Sequence, residues 1–269
     1  MSVVSGALLF AMAVLAGIIN SAVGSGSLLT LPVLLALGVP PGVAVRTNTT
    51  GMMFASVGSA WGFRKEIRRE LPYLGPLVLV TIVASAAGSL LLLASPSHVL
   101  DFVIPILIVV ALVMVTCQPR LTRWLAARSQ AGQVAAGDAA SGAEVGQAYR
   151  RPRVVAPLGL AAVYGGYFTA AQGILYMAIL SVMTGRSLKA INPVKNFLSL
   201  FVNVTAALVY LVAWAFFGAE ILWIGVAVVA AGGLVGGLVG AQVAKRLPNQ
   251  VLRAVIVVVA LVALVRQFV

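Results

Sequence analysis

The sequence predicts an all-α polytopic membrane protein built from two homologous halves, related as an inverted repeat and each carrying a broken or re-entrant helical hairpin. Three observations predict it. Of the 269 residues 61% are hydrophobic and only 9% charged, against roughly a quarter charged in soluble domains. Apolar runs recur that are long enough to cross a hydrocarbon core of about 30 Å as helices, and the short alternating segments of a β-barrel are missing. Two of those runs are interrupted by glycine and amide residues, at Gly24-Ser25-Gly26 and at Gln172-Gly173, and each interruption is followed by a short apolar piece and a polar stretch.

Charge supports the membrane reading. The net charge of +12 would suggest nucleic acid in a soluble protein, but these cations lie mainly between apolar spans, where anionic headgroups and the positive-inside rule account for them. The lipid bilayer is therefore the expected partner, and nucleic acid is not. Cys117, alone of its kind, offers no intrachain disulfide or cysteine metal cluster and is expected to pack. The opening MSVVSGALLF lacks the basic n-region of a signal peptide, so it is expected to stay in the mature protein.

In chain order, Ser5 to Val23 reads as a span, and Ser27 to Leu37 as a half-length piece, either a short tilted helix or one arm of a re-entrant hairpin. Pro40-Pro41 reads as a helix stop, followed by a span from about Asn48 to Gly62 and a cytoplasmic basic cluster, Arg64, Lys65, Arg68 and Arg69. Leu71 to Ala94 and Val99 to Cys117 form a hairpin with the turn SPSH. His98 and Asp101 are expected at its surface. Residues 1–117 thus make a first transmembrane repeat, and the Gly-, Ala- and Arg-rich segment 118–153 reads as a flexible cytoplasmic linker.

Residues 154–269 make the second repeat. Val154 to Ala171 breaks at Gln172-Gly173, a short piece runs to Thr184, GRSLKAINPVKN precedes a span from about Phe197 to Phe217, and Ile221 to Val243 and Val251 to Val269 follow. An offset of 147 residues, from Gly26 to Gly173, superposes the breaks, the short pieces and the polar segments. The first copy's span ends beside the basic cluster, whereas its counterpart ends beside Glu220. Opposite crossing directions follow, as five elements per half produce, with the linker inside and both termini outside. If Arg186, Lys189 and Lys195 serve substrate and not topology, the count changes, and a parallel repeat of four elements is the alternative.

The segment from Asn20 to Asn48, NSAVGSGSLLTLPVLLALGVPPGVAVRTN, resembles the first signature of the TauE/SafE family of anion permeases, the sulfite exporter family, and AQGILYMAIL with AINPVKN resembles its second. The resemblance covers both halves apart from the linker. It implies an inner-membrane transporter of sulfite, organosulfonates or related small organic anions, often working in export. The chain departs from the pattern at Ser25, within a break that is often all glycine, and at Ala171-Gln172, where many members repeat glycines.

The chemistry of the breaks fits an anion independently. A helix that begins inside the membrane presents free N–H groups and the positive end of its dipole, and glycine allows close approach. The candidate substrate-binding residues are Asn20, Gly24, Ser25, Gly26, Asn48, Thr49, Gln172, Gly173, Asn192, Lys195 and Asn196. Lys195 is the candidate counter-ion, with snorkelling to headgroups as its alternative. Arg46 is either its counterpart or an outer-surface charge, and Lys189 and Arg186 read as topological. Asn203 belongs to the same set of amides too costly to face lipid. Thr47, Thr49 and Thr50 have a second explanation in bonds to their own helix, and Tyr164, Tyr167 and Tyr176 in packing or interfacial anchoring. Gly24, Gly26 and Gly173 have one in helix packing, which suits Gly232, Gly233, Gly236, Gly237 and Gly240 better than a ligand role does. Such glycine faces serve a homodimer as readily as intrachain packing.

No carboxylate falls in a predicted membrane centre, so neither a metal, a cofactor nor a hydrolase's acid pair is expected, and without a P-loop ATP is not the driver. The expectation is a secondary transporter, not an enzyme. Export of a monoanion gains about 2.3 kcal/mol per 100 mV, inside negative. A translocator of polyprenyl-phosphate or another anionic lipid head group is the alternative, since re-entrant ends also suit phosphate.

Overall fold

The computed structural model describes residues 3–133 and 142–243, all organised around helices. The helices are α1 (Val3–Ala22), α2 (Ser27–Ala36), α3 (Pro41–Gly62), α4 (Arg64–Glu70), α5 (Gly75–Ala94), α6 (Ser97–Gln133), α7 (Gly142–Arg150), α8 (Pro152–Phe168), α9 (Gln172–Thr184), α10 (Leu188–Phe217) and α11 (Trp223–Val243). Five have stretches long and apolar enough to cross a membrane: α1, α5, α6, α10 and α11. Large apolar side chains such as Leu79, Phe102 and Leu160 are exposed on the outside of the bundle, as lipid contact requires. The chain is a multi-pass membrane protein. The expected span Val251 to Val269 and the cations Lys245 and Arg246 lie outside the described residues.

The two short helices appear where the apolar runs break. At 1.5 Å per residue α2, with 10 residues, rises about 15 Å, and α9, with 13, about 20 Å. Neither spans the hydrocarbon core alone. Both are lodged inside the protein, α2 almost completely buried.

Packing is reciprocal between the halves. Helix α11 lies against α1 and α3, while α5 lies against α8 and α10. Small residues make both contacts close. A methyl group on Gly232 or Gly236 would fall within 3 Å of the main chain of Phe10 or Val14 on α1, and one on Gly237 would strike Ala55 on α3. Between α5 and α8, Gly88 abuts Val163 and Gly166 abuts Ser85, and the Ser89 hydroxyl donates to the Gly166 carbonyl at 3.2 Å. The α11 glycines are thus packing residues, occupied within the chain.

Several boundaries differ from expectation for local physical reasons. Pro41 does not stop a helix but starts α3, because a first-turn proline has no amide to lose and its φ is already helical. Arg46, Thr47 and Asn48 are accordingly helical. Helix α10 begins at Leu188, with the Ser187 side chain accepting from the Ala190 amide at 3.3 Å, and carries Pro193 within it. Cys117 is exposed instead of packed, on the outward face of α6. Of the segment read as a flexible linker, 118–133 continues α6 and 142–150 forms α7. Val145 and Tyr149, four residues apart on one face, dock α7 onto Tyr73 and Leu74.

Candidate functional site

The two breaks touch. Gly173 N–H donates to the Gly24 carbonyl at 3.1 Å, and a methyl group on either glycine would lie within 2.5 Å of the other's Cα. Residues far apart in sequence thus form one junction, fully inside the bundle. Gly24 turns the chain at φ 84°, and the second break turns through Thr169 at φ 67° and Ala171 at φ 61°. Gly26 serves a nearer purpose: a methyl there would overlap the Ala16 carbonyl, so it lets α2 fold back against α1.

Around this junction lie buried polar groups that the protein does not pair. Ser25 is 0% exposed and Gln172 2%, yet the Ser25 Oγ and Asn48 Nδ2 have no hydrogen-bond partner, and Gln172 Nε2, Thr81 Oγ1 and Tyr176 OH lie near enough to interact with one another without a well-formed hydrogen bond. The Gln172 side chain folds back over Gly165. Among the described residues the amides of Ser25 and Gly26 also make no backbone hydrogen bond, whereas Leu28 and Leu29 donate to the Ser25 and Gly26 carbonyls at 3.2 and 2.9 Å. Thr49 and Thr169 hydroxyls meet at 2.9 Å, joining α3 to the second break. Thr30 donates to Asn48 Oδ1.

Lys195 is fully buried, which removes snorkelling as its explanation. Its Nζ donates to the carbonyls of Asn20 at 2.9 Å and Ser21 at 3.4 Å. Asn196 Nδ2 reaches the same Ser21 carbonyl at 3.0 Å, and Asn192 Nδ2 at 3.3 Å. Helix α10 therefore caps the C-terminal end of α1, where unpaired carbonyls and the negative end of the dipole favour a cation. An ammonium has three protons to donate; two are directed at these carbonyls, and no carboxylate lies within ion-pair distance among the described residues.

Of the predicted residues, Gly24, Ser25, Gln172 and Gly173 come together. Asn20, Asn192, Lys195 and Asn196 form the adjoining cap, while Thr49 and Asn48 line up behind on α3. Asn203 lies deeper, donating to Ser56 Oγ at 2.7 Å. Thr50 bonds its own helix through the Arg46 carbonyl at 2.8 Å, whereas Thr47 accepts from the Leu222 amide at 3.0 Å. Tyr164 is a brace, donating to the Ala170 carbonyl at 2.8 Å. Thr81 and Thr169 escaped the sequence reading, since a threonine in an apolar run has no mark that separates a site from a helix bond.

Arg186 is not simply topological. It forms a two-pronged ion pair with Glu70 and donates to Tyr149 OH, which itself donates to Glu70 Oε2 at 2.8 Å. Burial works against the guanidinium charge, but the bonds to Glu70 and Tyr149 outweigh it and hold Arg186 above its ordinary pKa. Burial pushes the Tyr149 phenol up, so it remains a neutral donor. This cluster ties α4 of the first half to α7 and to the loop between α9 and α10.

The profile of the family described as sulfite exporter TauE/SafE matches residues 9–266. The chain belongs to that family. The TauE/SafE match runs across both breaks and both halves. Among curated proteins the chain is 26% identical over 257 residues to a probable membrane transporter protein, YfcA, of Escherichia coli (strain K12), covering 94% of this chain and 86% of that protein. It is 30% identical over 103 residues to a probable membrane transporter protein, ORF9, of Sinorhizobium sp., covering 38% of this chain and 40% of that one. No solved structure matches the chain. This TauE/SafE protein is a multi-pass membrane transporter.

Proposed function

We propose that the chain moves a small organic or sulfur-containing anion, such as sulfite or an organosulfonate, by alternating access around the two breaks, in the export direction. The observation that carries this reading is the junction itself, with its unpaired buried donors. Leaving a buried hydroxyl or amide unpaired costs about 1–3 kcal/mol, and such groups persist where a partner comes from elsewhere. Ser25, Asn48, Gln172, Thr81 and Tyr176 all present groups that can donate. An oxyanion accepts on every oxygen, so a cluster of buried donors, with Lys195 on the end of the preceding helix, suits one. The interior-negative potential drives a monoanion outward without a coupled ion.

Alternating access needs two related halves that exchange roles, and two features support that. The packing of α11 on α1 and α3 is mirrored by that of α5 on α8 and α10. Ser56 and Asn203, which hydrogen-bond to each other, are separated by 147 residues, the repeat offset itself. Equivalent residues meet in this way on a pseudo-two-fold axis, as inverted-repeat transporters have.

The test is anion flux in proteoliposomes with Ser25→Ala and Gln172→Leu. Ser25→Ala removes a donor that the protein leaves unpaired, so stability should hold or rise, and Gln172→Leu gives up only a poorly formed contact with Tyr176. Affinity for sulfite or an organosulfonate should fall about tenfold per lost charge-assisted bond. Unchanged flux and affinity in both variants would remove the breaks from the transport path.

A further inference from the structure

A second feature lies apart from the junction. Where α3, the C-terminal end of α5 and the later half of α10 diverge, there is a cavity of about 730 Å³. Its walls include Leu93, Val209, Val212 and Phe217, and Arg46 is the one charged residue lining it. Val212 is 50% exposed and Phe217 81%, so the groove opens on the flank of the bundle that faces acyl chains.

Arg46 is positioned and only partly used. Its Nε donates to the Glu220 carbonyl at 2.9 Å, which fixes the side chain across the gap between α3 and the loop after α10. Among the described residues the carboxylate that acts on its charge, that of Glu220, does so from beyond ion-pair distance, which leaves room for a closer anion. A guanidinium at the edge of an apolar groove is costly without a counter-charge, and its planar fork matches phosphate oxygens. Arg46 lies five residues after Pro41, the start of α3, a rise of roughly 8 Å. That depth suits an arginine meeting headgroups while its stem stays among hydrocarbon. The basic cluster from Arg64 to Arg69 lies beyond the opposite end of α3 and cannot neutralise the same headgroup.

We infer that this groove holds one anionic phospholipid, with its phosphate on Arg46 and an acyl chain along Val209, Val212 and Phe217. A bilayer lipid fits because the walls are continuous with the lipid-facing surface, whereas a soluble anion would have to leave water for them. The lipid is bound, not carried, and the site is independent of the anion path through the breaks.

Native mass spectrometry of the purified full chain, equilibrated with equal amounts of phosphatidylglycerol and phosphatidylcholine, tests this. The wild type should retain the anionic lipid preferentially. Arg46→Gln should reduce that preference about tenfold, as expected for a charge-assisted contact. Val212→Trp, which fills the groove and leaves Arg46 in place, should reduce retention as well, so the answer does not depend on one variant folding. Arg68→Gln with Arg69→Gln should leave the preference unchanged. Equal retention of the two lipids, indifference to both groove variants, or loss of preference only in the Arg68/Arg69 variant would overturn the inference. Displacement of phosphatidylglycerol by a short alkyl sulfonate would also overturn it, marking the groove as a vestibule for transported anion.

Discussion

The two breaks follow similar backbone paths by different means. At the first, Gly24 takes φ 84°, a conformation that glycine adopts at little cost. Its surroundings act on the helix before it, through Lys195, Asn192 and Asn196 on the last α1 carbonyls. At the second, Thr169 and Ala171 take φ 67° and 61° with side chains present, at about 1–2 kcal/mol each. Such strain persists where the surroundings over-determine the backbone. Here Tyr164 holds the Ala170 carbonyl, Thr49 holds Thr169, and Tyr210 donates to the Gly166 carbonyl at 2.8 Å. One break is thus permitted by its own residues, the other imposed by its neighbours. A glycine-rich motif is one way to build this junction and not a requirement for it.

Substitutions separate the two cases, and the largest effect should come from the residue both breaks share. Gly173→Ala keeps an ordinary φ but drives a methyl to 2.4 Å from Gly24 Cα, so overpacking should cost about 3 kcal/mol or more and abolish transport. Thermal unfolding in detergent and flux assays measure both, and a variant with wild-type melting and flux would show that the contact is dispensable.

Lys195→Met should act on the first break alone. It leaves the Asn20 carbonyl unpaired, at about 2–3 kcal/mol. Hydrogen exchange should quicken at Val23 and Gly24, whose amides bond to the Ile19 carbonyl, while Ala170 and Ile174 stay protected; equal opening at both would mean that the cap is not local. Tyr164→Phe is the matching change at the second break. Loss of its bond to Ala170 should cost about 1 kcal/mol and open Thr169 to Gly173 selectively.

The smallest effect has the opposite sign. Ala171→Gly relieves the left-handed strain and concedes some unfolded-chain entropy, for a net gain of about 0.5–1 kcal/mol. A lower melting temperature in this variant would contradict the strain account.

How much could be read in advance differed by residue. Gly24, Ser25, Gln172 and Gly173 stood out because polar and glycine residues interrupt runs that lipid would otherwise tolerate, and the cost of such interruptions is local. Lys195 stood out for the same reason, but its partners did not. They are main-chain carbonyls of α1 at Asn20 and Ser21, and a carbonyl is present at every residue, so sequence cannot single one out. Tyr149 carries no signal in a Gly- and Ala-rich stretch, and the ion pair of Arg186 was not legible beside its positive neighbours, because Glu70, which joins the two, is more than a hundred residues from Arg186.

The sequence by itself determined a helical membrane protein, the approximate positions of its spans, its two interruptions and its family, since apolar transfer and backbone breaking depend on each segment's own composition. Only the tertiary structure decided that the interruptions touch, that Lys195 caps the helix before the first, and which buried donors are left unpaired. Those facts depend on contacts between residues more than a hundred positions apart, and pairing over such distances is set by how the helices pack.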